Sequence, residues 1–316
     1  LSSDNRAPLV QVLGLPSPID IGLFRAQLNS QLRSPWWRVN FSNISVSSQS
    51  KVLAGNGAER ERILQDGEMA RLEIASRWAS SMNSGFMFVV PLIAHHSGNM
   101  DQAIESWHKL FGLPNSNRGL RTQDSIEYVY TRDGIELLRL DRNKAGLGDV
   151  QLEWLYSAGN AQTTSSKLLR LGVKLPTGQR NNLTGSGSTS AYAEFGSTGR
   201  FKRLPALKWQ LSAGAVWFEG GGVLAEIRRD SALTAHASVA KRVSSNWQLQ
   251  AQLESHSRVY HSATDEIGQG GLQLSIGGGR ALGKRHSIEL YFTEDIVTRS
   301  SPDFGLGITL RHFPKK

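Results

Sequence analysis

WQLQAQLESHSRV, residues 247–259, decides the fold class. Trp247, Leu249, Ala251, Leu253 and Val259 fall on one side of an extended chain. Gln248, Gln250, Gln252, Glu254, His256 and Arg258 fall on the other. Successive side chains of a strand point to opposite faces, so one face here meets an apolar medium and the other a polar one. The same period recurs on either side of this stretch. Val150, Leu152, Trp154 and Tyr156 oppose Asp149, Gln151 and Glu153. Leu169, Leu171, Val173 and Leu175 oppose Arg170 and Lys174. Leu207, Trp209, Leu211, Ala213, Ala215 and Trp217 oppose Lys208, Gln210 and Ser212, and Ile288, Leu290 and Phe292 oppose Ser287 and Glu289.

A soluble sandwich buries such apolar faces against each other, whereas a membrane barrel turns them out to lipid around a polar interior. Three features favour the barrel. The alternating segments run to roughly ten residues, the length a tilted strand needs to cross a bilayer. Their polar faces carry many full charges, and Trp78, Trp217, Trp247 and Tyr260 stand at strand ends, where an interfacial aromatic belt belongs. The expected fold is all-β: a transmembrane antiparallel up-and-down β-barrel of about 14 strands, or about 12 if 124–142 is an external hairpin.

Counted back from the C-terminus, the links at 81–84, 132–134, 158–161, 244–246 and 283–285 fall at the periplasmic end, where turns are short. The longer links 48–67, 96–123, 218–229 and 260–268 fall outside, and 198–206 is long for a turn. The barrel is expected over 36–313, including the loop 96–123. Pro8, Pro16, Pro18 and Pro35 make residues 1–35 an irregular segment, either a periplasmic tail or a lumen plug.

Composition limits the alternatives. The 316 residues are 39% hydrophobic with 32 glycines, and no apolar run approaches a spanning helix of roughly 18–20 residues. There is no cysteine, which excludes disulfides, thiolate metal sites and Cys nucleophiles. The net charge is +9, but the basic residues are interspersed with acidic ones and no basic helix or stacking motif occurs. Nucleic acid is therefore not an expected partner; anionic lipid headgroups suit such a surface better.

One segment departs from the strand period. In 98–112, Met100, Ile104, Trp107 and Phe111 recur at helical spacing, with Asn99 and Gln102 as an expected capping box and Gly112 at the end. This helix is expected in the longest external link as a plug or lid, its stripe against the lumen wall or a hydrophobic ligand. His95, His96 and Ser97 precede it and are the weak catalytic candidates, a hydroxyl nucleophile beside a base. Ser97 lacks the glycine-flanked elbow of hydrolase nucleophiles. Asp101, Glu105 and His108 lack a metal-ligand signature, so neither a metal nor another cofactor is expected.

Arg71, Arg77, Glu153, Arg170, Lys174, Glu254, His256, Arg258 and Glu289 are expected to line the lumen. An open ion-selective pore carries an excess of one sign. This set is nearly balanced, which implies a constricted interior laced by ion pairs.

Several stretches resemble a family of uncharacterised proteobacterial outer-membrane proteins, a domain of unknown function. They are LQDGEMARLEIASRWA (64–79), PLIAHHSGNMDQAIESWHKLFGLPNSNRG (91–119), GLGDVQLEWLY (146–156), LGVKLPTG (171–178), GSGSTSAYAEF (185–195) and FTEDIVTRSSPDFGLGITLRHF (292–313). The KLPTG and GSGST elements are also similar to porin-like barrels linked to uptake of hydrophobic compounds. The resemblance implies a Gram-negative outer-membrane location, with phospholipid and lipopolysaccharide as surroundings. The strand GLGITLRHF, ending near Phe313, resembles the signal read by the outer-membrane assembly machinery. The expected function is a constricted channel or transporter for a small or hydrophobic solute. A lipid-modifying hydrolase using Ser97 with His95 or His96, and a structural or assembly barrel, are the alternatives.

Overall fold

The computed structural model describes residues 16–19, 23, 35–81, 83–112, 122–158, 165–296 and 301–314. In chain order the first strands are β1 (Trp36–Leu53), β2 (Glu59–Ala79) and β3 (Ser84–His96), then helix α1 (Asp101–Phe111). Three short strands follow, β4 (Glu127–Arg132), β5 (Ile135–Leu140) and β6 (Lys144–Leu147). The meander then runs through β7 (Val150–Ala158), β8 (Ser165–Leu175), β9 (Ser190–Phe201), β10 (Leu204–Phe218), β11 (Ser231–Arg242) and β12 (Trp247–His256). A single helical turn, α2 (Asp265–Gly268), precedes β13 (Gly271–Leu282), β14 (His286–Asp295) and β15 (Phe304–His312).

Every pairing is antiparallel, and β15 returns to β1 in unbroken register from Trp37↔His312 to Ser45↔Phe304. The sheet is thereby closed and has no exposed edge along the barrel, as membrane-spanning backbone requires. Twelve strands form the staves. The hairpin β4–β5 pairs only with Glu61–Asp66 of β2, and β6 only with Leu92–His95 of β3. These three strands extend the wall above one mouth and add no stave, so the smaller of the two expected counts holds. The link 132–134 consequently moves to the same end as the β1–β2 turn, away from the tight-turn end where parity alone put it. The apparent long turn at 198–206 disappears, because β9 and β10 run on and leave only Lys202 and Arg203 between them.

The barrel thus has a turn end, where the chain enters at Trp36 and leaves after His312, and a loop end with the long links. Val39, Phe41, Leu152, Leu171, Leu211, Leu249 and Leu290 point outward and are exposed, alongside many other large apolar side chains. A contiguous apolar surface of that extent is not tolerated on a water-soluble monomer. Exposed Trp37, Trp78 and Trp247 stand at the turn end of the apolar band and Trp217 at its loop end, the depths where interfacial aromatics sit. Tyr260 does not belong to the girdle; it is buried inside the loop-end mouth.

Helix α1 lies outside the barrel. Trp107 packs edge-on against Phe292 at 5.7 Å and near Phe304 at 6.3 Å. Phe292 pairs with Ile276 and Leu306, both outward-facing, so the packing surface is the outer wall. His108 reaches Glu294 at 3.1 Å on that same side. The helix start also differs from expectation. Met100 is the N-cap and makes no side-chain capping bond. The carboxylate of Glu68, on β2, instead accepts the N–H groups of Asn99 (2.8 Å) and Met100 (2.6 Å), and takes a third bond from Asn43. An anion at a helix N-terminus offsets both the orphan donors and the dipole. Gly98 is required there: its φ is +84°, and a Cβ would fall onto the Glu68 carboxylate. Gly112 ends the helix in the left-handed conformation, as the sequence implies.

Candidate functional site: an occluded lumen

The inward face of each strand is polar, and it is buried. On the wall made by β14, β15, β1 and β2, Arg38 pairs with Glu73, Arg71 with Glu73 at 2.9 Å, and Arg311 with Glu289 at 2.7 Å. On the β7–β9 wall, Arg170 lies between Glu194 at 3.1 Å and Glu153 at 3.8 Å, its guanidinium 4.7 Å from the Tyr192 ring. Glu153 interacts electrostatically with Arg38 from across the lumen, and Arg170 with Glu254 of β12. The β10–β13 wall is mostly uncharged, with Gln210, Gln250, Gln252, Gln273 and Ser275 pointing in. A charge withdrawn from water must be paired, so these residues form an ion-paired network along the inner wall of the barrel.

Apolar clusters bracket this network. At the turn end, Trp36, Met87, Leu155, Ala281 and Phe313 are buried together. The guanidinium groups of Arg38, Arg77 and Arg311 lie 5.4, 5.5 and 5.2 Å from the Trp36 ring. Toward the loop end, Ile44, Met69, Ile93 and Tyr291 form a second inward cluster. Above it sits the largest one. Ile63, Tyr130, Val216 and Phe218 from the strand tops meet Leu183, Leu224, Ile227 and Ile267 from the long links. Two residues that precede the barrel belong to this cluster as well: Ile19, 1% exposed, and Leu23. The Tyr260 hydroxyl donates to the Ile19 carbonyl at 2.9 Å. The chain therefore has described residues in the loop-end mouth at Ile19 and Leu23, yet starts its first strand at the opposite mouth.

The loop from β8 to β9 is drawn into the mouth by one carboxylate. Asp149, at the start of β7, accepts from Lys174 Nζ at 3.1 Å, Gly178 N at 3.1 Å, Ser186 N at 2.8 Å and Ser186 Oγ at 2.6 Å. Both charged side chains of the pair are 2% exposed. Gly178 and Gly185 are packed so closely that a Cβ on either would meet the other's backbone. Leu183, fully buried at the tip, is the apolar payload of the latch, and its carbonyl bonds His95 Nε2 at 2.9 Å.

The expected lumen residues Arg71, Arg77, Glu153, Arg170, Lys174, Glu254, His256 and Glu289 all point inward. Arg258 does not. β12 ends at His256, and Arg258 lies exposed in the following link with its guanidinium on Gln269 Oε1 at 3.0 Å. Met100, Ile104 and Trp107 belong to α1 on the outer wall, so the helix stripe neither lines nor plugs the lumen; the side chain of Phe111 lies outside the described residues. His95 faces inward and spends one ring nitrogen on Leu183, His96 faces the other way, and Ser97 lies past the strand end. No hydrogen bond links Ser97 to either histidine among the described residues, so no nucleophile–base pair is assembled. Sequence reasoning missed Asp149, Glu68 and Ile19 as key positions. For Asp149 a signal existed: GLGDV, KLPTG and GSGS supply all four groups of the latch. For Glu68 and Ile19 nothing local marks the contact.

A closed antiparallel barrel with an apolar outer band, tryptophans at the band's edges and a polar interior is a membrane-spanning β-barrel. Residues 1–313 match the family described as a protein of unknown function, DUF3187, and the chain belongs to that family. No curated protein matches the sequence. Among solved structures it is similar to an outer membrane channel from Pseudomonas putida F1, with 11% identity and a TM-score of 0.57 over 89% of this chain and 96% of that one. That likeness shows the same fold. The KdgM porin aligns at 8% identity and a TM-score of 0.44, covering 87% of this chain and 98% of the porin. The P. putida toluene transporter TodX aligns at 9% and 0.43, covering 90% and 91%.

Proposed function

We propose that the protein is an outer-membrane channel of a Gram-negative bacterium, held closed at rest, for a small or hydrophobic solute. By the rule that periplasmic turns are short, the turn end faces the periplasm and the loop end the exterior. The observation that carries the reading is the construction of the lumen: polar, ion-paired walls bracketed by apolar clusters, with Ile19 and Leu23 packed into the outer one. Ile19 and Leu23 serve as the plug at the loop-end mouth and the Asp149 loop as the lid. The apolar mouths favour an uncharged or hydrophobic solute over a hydrated ion.

Planar-bilayer recording tests this. The full chain is expected to conduct poorly, and a variant lacking residues 1–34 to conduct in steps well above it. A folded truncation that stays silent would remove the channel reading and leave a structural or assembly barrel.

A further inference from the structure

The two ends of the barrel carry charge in different ways. At the loop end, cations and carboxylates are interspersed and pair at the surface: Arg139 with Glu136 at 2.6 Å, Arg142 with Asp141 at 3.3 Å, Arg132 with Asp133 at 3.9 Å. At the turn end the links 80–83, 159–164, 202–203, 243–246 and 283–285 contain no Asp or Glu. Nor do the strand residues that adjoin them; the carboxylates nearest that end, Glu73, Glu153, Glu194 and Glu289, point into the lumen.

The cations of the turn end are exposed. Lys202 and Arg203 make the β9–β10 turn, Lys284 and Arg285 the β13–β14 turn, and Lys241 and Arg242 close β11. Two further cations are laid onto the lipid-facing surface itself. The Arg280 guanidinium lies 5.3 Å from the Trp247 ring, and the Lys167 ammonium 6.0 Å from the Phe195 ring. Both rings face outward and are exposed. A long basic side chain that runs along an interfacial aromatic places its charge at the depth of the headgroups.

We propose that the turn end from β8 to β14 is a docking surface for the phosphate headgroups of anionic phospholipid in the adjoining leaflet. The one-sided charge supplies the attraction, and continuity with the apolar band supplies the occupant, because lipid already covers the surface that these side chains overhang. A soluble acidic protein would have no reason to meet cations laid on lipid-facing rings. This inference rests on the barrel spanning a membrane and is independent of whether it conducts.

The full chain, folded in a neutral detergent, is exposed to equal amounts of chain-matched phosphatidylglycerol and phosphatidylcholine, and retained lipid is read by native mass spectrometry. Two turn variants, K202Q/R203Q and K284Q/R285Q, are made singly and together, with R139Q/R142Q at the loop end for comparison. Heat-modifiable gel migration confirms folding of each. The wild type and the loop-end variant are expected to retain phosphatidylglycerol selectively. The combined turn variant is expected to lose that preference by on the order of tenfold or more, since each basic residue near an anionic surface contributes about a fivefold factor. Rising salt should weaken retention of the anionic lipid. Equal retention of both lipids by the wild type, or undiminished preference in the turn variants, would overturn the proposal. So would displacement of phosphatidylglycerol by soluble polyglutamate at equal charge, which would identify a soluble acidic partner instead.

Discussion

Replacing Asp149 by Ala tests the lid most directly. The carboxylate holds Lys174 and three donors of the β8–β9 loop, all within 3.1 Å. Removing one member of a buried ion pair costs about 3–5 kcal/mol. That cost falls on the docked loop, because undocking lets water reach Lys174, Ser186 and Gly178. Lys174 also lies within the electrostatic reach of Arg71 and Arg228, so losing the carboxylate leaves like charges facing one another. The burial of Leu183, roughly 2 kcal/mol, favours docking equally in wild type and variant and so does not enter the shift. The docking equilibrium should shift by on the order of a hundredfold to a thousandfold, with the barrel still folded. Two assays read it. Trypsin cleavage after Arg180, which requires local opening of the loop, should accelerate by about the same factor. Channel openings in planar bilayers should become frequent. The double variant D149A/K174M should recover much of the wild-type behaviour, since an apolar pair avoids the uncompensated charge. If folded D149A shows wild-type cleavage and conductance, the latch does not hold the lid. If K174M fails to compensate, the ion pair is not its active part.

Other outcomes follow from the same contacts. Glu68→Ala should free the start of α1, costing about 1–2 kcal/mol, the range of a lost helix cap, and raise amide exchange at 99–104 roughly tenfold. Conductance should not change, because the helix lies outside the lumen; an increase would restore the plug role to α1. Tyr260→Phe removes the hydrogen bond to Ile19, worth about 1 kcal/mol, and should raise the open fraction about fivefold in single-channel records. Arg170→Met leaves Glu153 and Glu194 facing each other and should lower the temperature of heat-modified gel migration; adding Glu194→Gln should return part of the loss.

The barrel was legible because its alternation is a local property. Trp247 to Leu253 shows the two-residue period without reference to any other strand, and the charges on the polar face exclude an apolar interior. Strand number was less legible, since β4 and β5 carry β-forming residues like any stave. What separates them is that β2 runs on past the band and pairs with them there. The helix was found, and its position was not: the stripe of Met100, Ile104 and Trp107 demands an apolar surface, and a membrane barrel offers one on each side of its wall.

The sequence by itself determined that the chain makes a closed barrel with an apolar exterior, a balanced polar interior and a helix after His96. Period, composition and turn spacing are short-range, and the physics of a bilayer leaves few ways to satisfy them. The tertiary structure alone decided what closes the barrel. Asp149 gathers groups from residues 174, 178 and 186, Glu68 caps a helix that begins some thirty residues later, and Tyr260 meets the carbonyl of Ile19. Such contacts join residues far apart in the chain, and they form only because closure of the sheet brings both mouths and their loops to fixed places.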